Sequence, residues 1–124
     1  GNQLKTSIRV VFERQQNWFG KLHNHNLELL FFSPSGESEQ FTIASGFSKS
    51  GSYSKVFTLD VKIAVDDIFL KYTVEKFHIP WSASERLKIE GLTITNDNNS
   101  SSYWQLNTTD KYIESGRSEK LFKN

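Results

Sequence analysis

The chain contains no cysteine, no methionine and only two prolines among its 124 residues. Without cysteine it forms neither a disulfide framework nor a Cys-ligated zinc or iron–sulfur site, and it has no Cys nucleophile. It also lacks an excess of charge of one sign, because 15 Lys and Arg balance 14 Asp and Glu. This balance argues against a nucleic-acid binder that relies on a broad basic face. No apolar stretch reaches the roughly 18 residues of a membrane-spanning helix.

The length corresponds to one domain, and no internal repeat or linker divides residues 1–124. The chain has no initiating Met and no signal-peptide pattern. We therefore expect a single domain excised from a larger multidomain protein, with neighbouring domains among its partners. The absence of cysteine is compatible with a cytoplasmic location, which we slightly favour, although no targeting signal fixes the compartment.

Alternating apolar and polar residues predict short strands along most of the chain. In residues 4–14, Ile8, Val10 and Phe12 fall on one face, and the apolar run 27–32 ends at a turn marked by Pro34 and Gly36. Further strands are expected at residues 40–44, 55–61, 68–77, 87–95, 103–106, 111–113 and 120–122. About eight short strands predict an all-β fold, an immunoglobulin-like antiparallel β-sandwich.

Polar stretches between these strands predict loops at residues 15–26, 45–54 and 96–102, and residues 82–86 fit one helical turn. Within the strand 87–95, strict alternation places Leu87 and Ile89 on one face together with residues 91, 93 and 95.

Two clusters suggest metal ligands. His23 and His25 would share one face of a strand and could chelate a metal, but no third ligand lies nearby, and a polar loop with two solvated histidines accounts for the pair. Asp66 and Asp67, with Asp60 nearby, match no standard calcium loop, and a turn between strands accounts for them. We therefore expect no metal site and no cofactor.

Catalytic motifs are also weak. The chain has no G-x-S-x-G nucleophile elbow, and its three histidines have no evident partner in the sequence. A carboxylate pair for glycoside cleavage would need a cleft, which is unusual in so small a β-domain. We expect that the domain itself is not an enzyme.

The three tryptophans, Trp18, Trp81 and Trp104, lie in or beside polar segments and not inside apolar runs. An indole in such a place either covers one end of the sandwich or forms an exposed platform. An exposed ring stacks on the C–H face of a sugar while neighbouring amides and hydroxyls bind the sugar hydroxyls. The tryptophans thus leave a structural and a sugar-binding interpretation open.

Several segments resemble the family 20 carbohydrate-binding modules, the starch-binding domains. Residues 103–116, YWQLNTTDKYIESG, look like the closing motif of that family, in which Trp-Glu begins the segment and Asn-Arg follows. Residues 56–59 and 68–74 are similar to its central pair of strands, and residues 7–12 to its first strand. Divergent modules of this family also occur inside large multidomain proteins.

The resemblance implies a non-catalytic module that targets its parent protein to an α-glucan, glycogen or starch, by aromatic stacking. It implies Trp104 as a stacking ring and Lys71 as a hydrogen-bond partner. Asp110 stands where the family has Asn, and Phe41 replaces the first Trp, which this chain lacks in that loop. If glucan binds in this way, Trp104 and Lys71 share one exposed surface.

Two other functions remain open. Residues 29–32 and 41–43 are also similar to early strands of the lipid-binding sandwiches appended to lipases and lipoxygenases. In that case Trp18, Phe19 and Lys21 would meet a membrane at one tip. Alternatively the domain is a protein-interaction scaffold, whose strand edge or aromatic patch docks a partner and whose indoles are buried.

Overall fold

The computed structural model describes residues 2–14, 23–47, 51–76, 85–96, 99–106 and 111–123, and its regular structure in these ranges is entirely β-strand. The strands are β1 (Asn2–Arg14), β2 (His23–Phe32), β3 (Ser38–Phe47), β4 (Gly51–Val61), β5 (Asp67–Lys76), β6 (Glu85–Asn96), β7 (Asn99–Gln105), β8 (Lys111–Glu114), β9 (Arg117–Lys120) and β10 (Phe122–Lys123). They form two antiparallel sheets, so the predicted all-β class is confirmed. A search of the described residues finds no helix of the length and apolarity that crossing a bilayer requires.

One sheet has six strands and the other has four. The six-stranded sheet has the order β10-β7-β6-β1-β4, and β8 also pairs with β6. The four-stranded sheet has the order β3-β2-β5-β9. The chain changes sheets several times, and one of these connections is the tight turn between β8 and β9. There Gly116 adopts φ +84°, and its N–H donates to the Tyr72 carbonyl at 2.8 Å.

The hydrophobic core lies between the two sheets and follows the alternation of the strands. Ile8, Val10 and Phe12 are buried on the inner face of β1, as their spacing predicts. Leu27, Leu29 and Phe31 of β2, together with Ile68, Leu70 and Tyr72 of β5, cover them from the four-stranded sheet. Burying each large apolar side chain contributes about 1.5–3 kcal/mol, so this double layer supplies the main driving force for folding.

The inner face of β6 differs from the strict alternation predicted for it. Val10 pairs with Ile89, whereas the preceding residue of β1, Arg9, pairs with Gly91, so Glu90 is an extra residue in the ladder. Such a bulge moves the following side chains to the opposite face. The buried residues of β6 are therefore Leu87, Ile89, Leu92 and Ile94. The prediction that residues 91, 93 and 95 share one face with Leu87 and Ile89 is wrong for this reason.

Two strands begin earlier than the sequence predicts, because polar residues also pair in their ladders. β2 begins at His23 and β7 at Asn99, inside two segments predicted as loops. The turn after β2 is confirmed: Gly36 has φ +93°, and its N–H donates to the Ser33 carbonyl at 3.1 Å. Of the predicted helical turn at 82–86, the first three residues lie outside the described residues, and Glu85 opens β6.

Candidate functional site

Trp104 lies in the core and not on an exposed surface. Its side chain is 3% exposed and stands opposite the fully buried Ile94 across the β6–β7 ladder. On β5, by contrast, Lys71 lies between the inward-facing Leu70 and Tyr72, which places it on the outer face of the other sheet. The expectation that Trp104 and Lys71 share one exposed surface is therefore wrong, because the register of β7 directs the indole inward.

Phe41 likewise faces the core side of its sheet. It pairs with the buried Leu29 across the β2–β3 ladder and packs edge-to-face on Phe31, with ring centroids 5.6 Å apart. This position corrects the suggestion that Phe41 replaces an exposed stacking ring. Asp110, the remaining implied sugar-binding residue, lies outside the described residues. Trp18, Phe19, Lys21 and Trp81 lie outside them as well.

Lys71 belongs to a line of polar side chains that crosses the whole four-stranded sheet on its outer face. The register of the three ladders places Thr42 of β3, Glu28 of β2, Lys71 of β5 and Ser118 of β9 side by side. We call these four residues the polar row. Since neighbouring strands are about 4.8 Å apart, the row is about 14 Å long.

Glu28 is the anchor of the polar row. It is 7% exposed, although it lies on the outer face, and its two carboxylate oxygens accept hydrogen bonds from the side-chain amides of Asn26 and Gln40. A carboxylate removed from water needs such donors, and bonds to a charged acceptor are stronger than neutral ones. The two amides therefore fix the position of the carboxylate at the centre of the sheet.

The ammonium group of Lys71, which lies beside Glu28, is available to a ligand. Residues directly opposite in an antiparallel ladder have Cβ atoms about 4.5–5.5 Å apart, so Lys71 and Glu28 attract each other electrostatically. Yet within the described part of the chain Lys71 makes no close ion pair with an acidic side chain. Its ammonium group can donate up to three hydrogen bonds to a bound molecule.

An aromatic pair lies on the same outer face, next to the polar row. Phe32 of β2 and Phe69 of β5 pack edge-to-face with ring centroids 5.6 Å apart, and both rings are half-buried. Leu30, opposite Phe69 in the ladder, separates this pair from Glu28. The outer face of the four-stranded sheet thus combines charged, amide and hydroxyl groups with exposed apolar ring surface.

His25 belongs to the core and not to a solvated loop. Its Nδ1 lies 2.6 Å from the Tyr72 hydroxyl, and the two rings stack with centroids 5.7 Å apart. Burial raises the pKa of Tyr72 above its ordinary value of 10. The described residues contain no group of three or more His, Cys, Asp or Glu side chains that could hold a metal ion. The His25–Tyr72 pair is therefore an internal polar contact of the core.

Sequence analysis did not identify Glu28, Asn26 or Gln40. Glu28 was hidden in the apolar run 27–32, and Asn26 in a segment predicted as a loop. Their i, i+2 spacing on one strand was the available signal, because such residues point to the same face. Gln40 had no local signal, since its approach to Glu28 depends on the register of the β2–β3 hairpin.

No family model and no curated protein matches the chain. The fold and the site define it as a two-sheet antiparallel β-sandwich with a polar and partly aromatic outer face.

Proposed function

We propose that this domain is a non-catalytic carbohydrate-binding module that binds an α-glucan, such as glycogen or starch, on the outer face of its four-stranded sheet. The observation that carries the proposal is the polar row beside the Phe32–Phe69 pair. The α-glucan class comes from the resemblance of residues 103–116, 56–59 and 68–74 to starch-binding domains. Targeting the parent protein to polysaccharide is the corresponding role.

The two parts of this face suit the two kinds of surface that a sugar presents. Lys71 donates hydrogen bonds, and the hydroxyls of Thr42 and Ser118 both donate and accept them. The rings of Phe32 and Phe69 offer apolar surface to the C–H face of a pyranose. Glu28 is held in place by its two amides and lies directly opposite Lys71 in the ladder, where it attracts the ammonium group.

Binding to one site is expected to be weak. Each sugar hydrogen bond replaces one to water, so its net contribution is about 0.5–1.5 kcal/mol. A few such bonds with one ring contact give about −4 to −6 kcal/mol, a Kd from roughly millimolar to high micromolar. A polymer compensates by offering many equivalent sites, so that rebinding retains the domain.

The same geometry favours binding over hydrolysis. Glycoside cleavage uses two carboxylates on either side of the scissile bond, one as an acid and one as a base or nucleophile. The polar row has one carboxylate, and both its oxygens accept bonds from protein amides. Both oxygens of Glu28 are therefore engaged by the protein, and its role is to hold its neighbours in position.

Native gel electrophoresis with glycogen or amylopectin in the gel tests the proposal. We expect the polymer to retard the wild type and Lys71→Met to lose at least about tenfold in affinity, the effect of removing one or two charge-assisted bonds. Lys5→Met is the matched control, because Lys5 is exposed on the outer face of the opposite sheet.

Two results would contradict the proposal. One is the absence of retardation of the wild type at saturating polymer. The other is an equal effect of Lys71→Met and Lys5→Met, which would mean that net charge and not a site controls the mobility. Thermal unfolding followed by circular dichroism shows whether each variant is folded.

A second candidate function is protein interaction through the edge of the six-stranded sheet. β4 is 11 residues long, and its described partner in the sheet is β1 on one side. Val56 on this strand is 60% exposed. Long edge strands accept an additional strand from a partner. Val56→Lys would weaken such a complex and leave retardation by glycogen unchanged, which separates this function from glucan binding.

A further inference from the structure

An ion pair lies on the outer face of the four-stranded sheet, beside the ring of Phe69. Lys120 of β9 stands directly opposite Phe69 in the β5–β9 ladder, and its Nζ lies 3.3 Å from the Asp67 Oδ1. Asp67 precedes Phe69 by two residues on β5, and Lys71 follows it by two, so the three side chains leave the strand on the same face. The Phe69 ring therefore lies between this ion pair and Lys71 of the polar row.

Both members of the ion pair are open to solvent. The side chain of Lys120 is 57% exposed and that of Asp67 is 41% exposed. An exposed ion pair of this kind contributes little to stability, so its removal should leave the fold intact. The contact between the two side chains uses one N–H of the ammonium group and one acceptor site of the carboxylate. Further donors on Lys120 and further acceptor sites on Asp67 are therefore open to a bound molecule.

The ion pair differs from the polar row in the groups that it offers to a ligand. At the row the carboxylate of Glu28 is buried and already accepts hydrogen bonds from two amides, so the charged group left to a ligand there is a donor, Lys71. The Lys120–Asp67 pair presents a donor and an acceptor side by side. Two neighbouring hydroxyls of a sugar match this arrangement, because one accepts from the ammonium group and the other donates to the carboxylate.

Resting on the proposed function, we infer that Lys120 and Asp67 form a second polar contact of the glucan site, which binds two neighbouring hydroxyls of the glucose unit that lies on Phe69. An internal unit of an α-1,4 glucan has one such pair, the 2- and 3-hydroxyls, because the linkages occupy its 1- and 4-positions. Asp67 holds the ammonium group of Lys120 in place before the ligand binds, which reduces the entropic cost of binding. The pair suits a neutral ligand, since a charge of either sign would be repelled by one of its members.

Native gel electrophoresis of the intact domain over a series of glycogen concentrations tests this inference. We expect Lys120→Met and Asp67→Ala each to lower the affinity for glycogen about tenfold, the effect of losing a hydrogen bond to a charged group. Lys120→Arg keeps a charged donor and should retain most of the binding. The matched controls are Arg9→Met and Glu90→Ala, because these residues form an ion pair of 2.9 Å on the outer face of the opposite sheet.

Competition with cyclomaltoheptaose, a closed ring of α-1,4-linked glucose units, tests which hydroxyls the ion pair binds. The 6-O-methyl derivative keeps the 2- and 3-hydroxyls and should release the wild type from glycogen. The 2,3-di-O-methyl derivative has lost both hydroxyl donors and should release it at least about tenfold less effectively.

The outcomes separate this inference from the proposed function. If Lys71→Met weakens binding whereas Lys120→Met and Asp67→Ala do not, the second contact is refuted and glucan binding on the sheet face stands. Equal losses in Lys120→Met and Arg9→Met also refute it, because net charge then accounts for the effect. If the two methylated derivatives compete equally well, the ion pair does not bind the 2- and 3-hydroxyls. If glycogen does not retard the wild type at saturation, the inference and the proposed function both fail.

Discussion

Replacing Trp104 with alanine distinguishes a core residue from a sugar platform. An aromatic side chain of this kind buries about 150–250 Å², which at about 25 cal/mol per Å² gives roughly 4–6 kcal/mol as an upper limit. The indole N–H has no hydrogen-bond partner among the described residues, so its burial offsets part of this gain. Lys123, 5.4 Å from the ring centroid, adds about 0.5–1 kcal/mol at most. We expect Trp104→Ala to lower the free energy of unfolding by about 3–5 kcal/mol.

Urea unfolding followed by far-ultraviolet circular dichroism measures this change without relying on tryptophan fluorescence. The midpoint should fall strongly while the slope of free energy against urea stays constant, because the surface exposed on unfolding changes little. Small domains are stable by only about 5–15 kcal/mol, so the variant is expected to be near its unfolding limit at room temperature. Trp104→Phe, which keeps an aromatic ring in the site, should lose clearly less than Trp104→Ala.

One result would refute this reasoning. If Trp104→Ala changes stability by less than about 1 kcal/mol and at the same time abolishes retardation by glycogen, the indole is an exposed ligand contact and its buried position is incorrect. If instead the variant is destabilised but the remaining folded fraction binds glycogen normally, Trp104 is a core residue and the site lies elsewhere.

Three further predictions concern the stability of the fold. Burial raises the pKa of Tyr72, so the stabilisation by its neutral hydroxyl is complete below about pH 10 and decreases as the pH rises towards the folded-state pKa. The urea midpoint of wild type should therefore fall more steeply than that of Tyr72→Phe between about pH 9 and 11. Gly116→Ala should lower the free energy of unfolding by about 1–2 kcal/mol, because the φ of this residue is +84°. Gly91→Ala should not destabilise the domain, because Gly91 has no positive φ and no atom lies within 4 Å of the added methyl group. Thermal unfolding compares the two variants. Glu28→Ala leaves two amides without their acceptor and should cost about 1–3 kcal/mol by urea unfolding, so an unchanged midpoint would mean that the network does not stabilise the sheet.

The strands and the first turn could be predicted from the sequence because their signals are local. Ile8, Val10 and Phe12 alternate along one strand, and Pro34 with Gly36 marks a turn whose φ value requires glycine. The fold class follows from these local signals, since many short strands without helices pack as two sheets. The bulge at Glu90 gave no such signal, because it exists only in the ladder with β1.

The candidate site was only partly predictable for the same reason. Lys71 was identified, but its neighbour Glu28 comes from another strand, and the row they form depends on the registers of three ladders. Trp104, by contrast, was predicted as a site residue and lies in the core. Its polar surroundings in the sequence suggest exposure, whereas its pairing with Ile94 decides its burial. Local composition predicts whether a strand forms, and non-local pairing decides which face a side chain occupies.

The central position of β1 has a consequence for how the domain is made by the ribosome. This strand is the first to emerge, yet both its neighbours in the sheet, β4 and β6, follow much later in the chain, and its pairing with β6 extends to Asn96. An apolar strand whose pairing partners have not yet been synthesised remains exposed during translation. Folds with many pairings between residues far apart in the sequence also assemble slowly. The nascent chain therefore cannot cover both edges of β1 until β6 has been synthesised, and until then chaperones that bind unfolded segments have access to this strand.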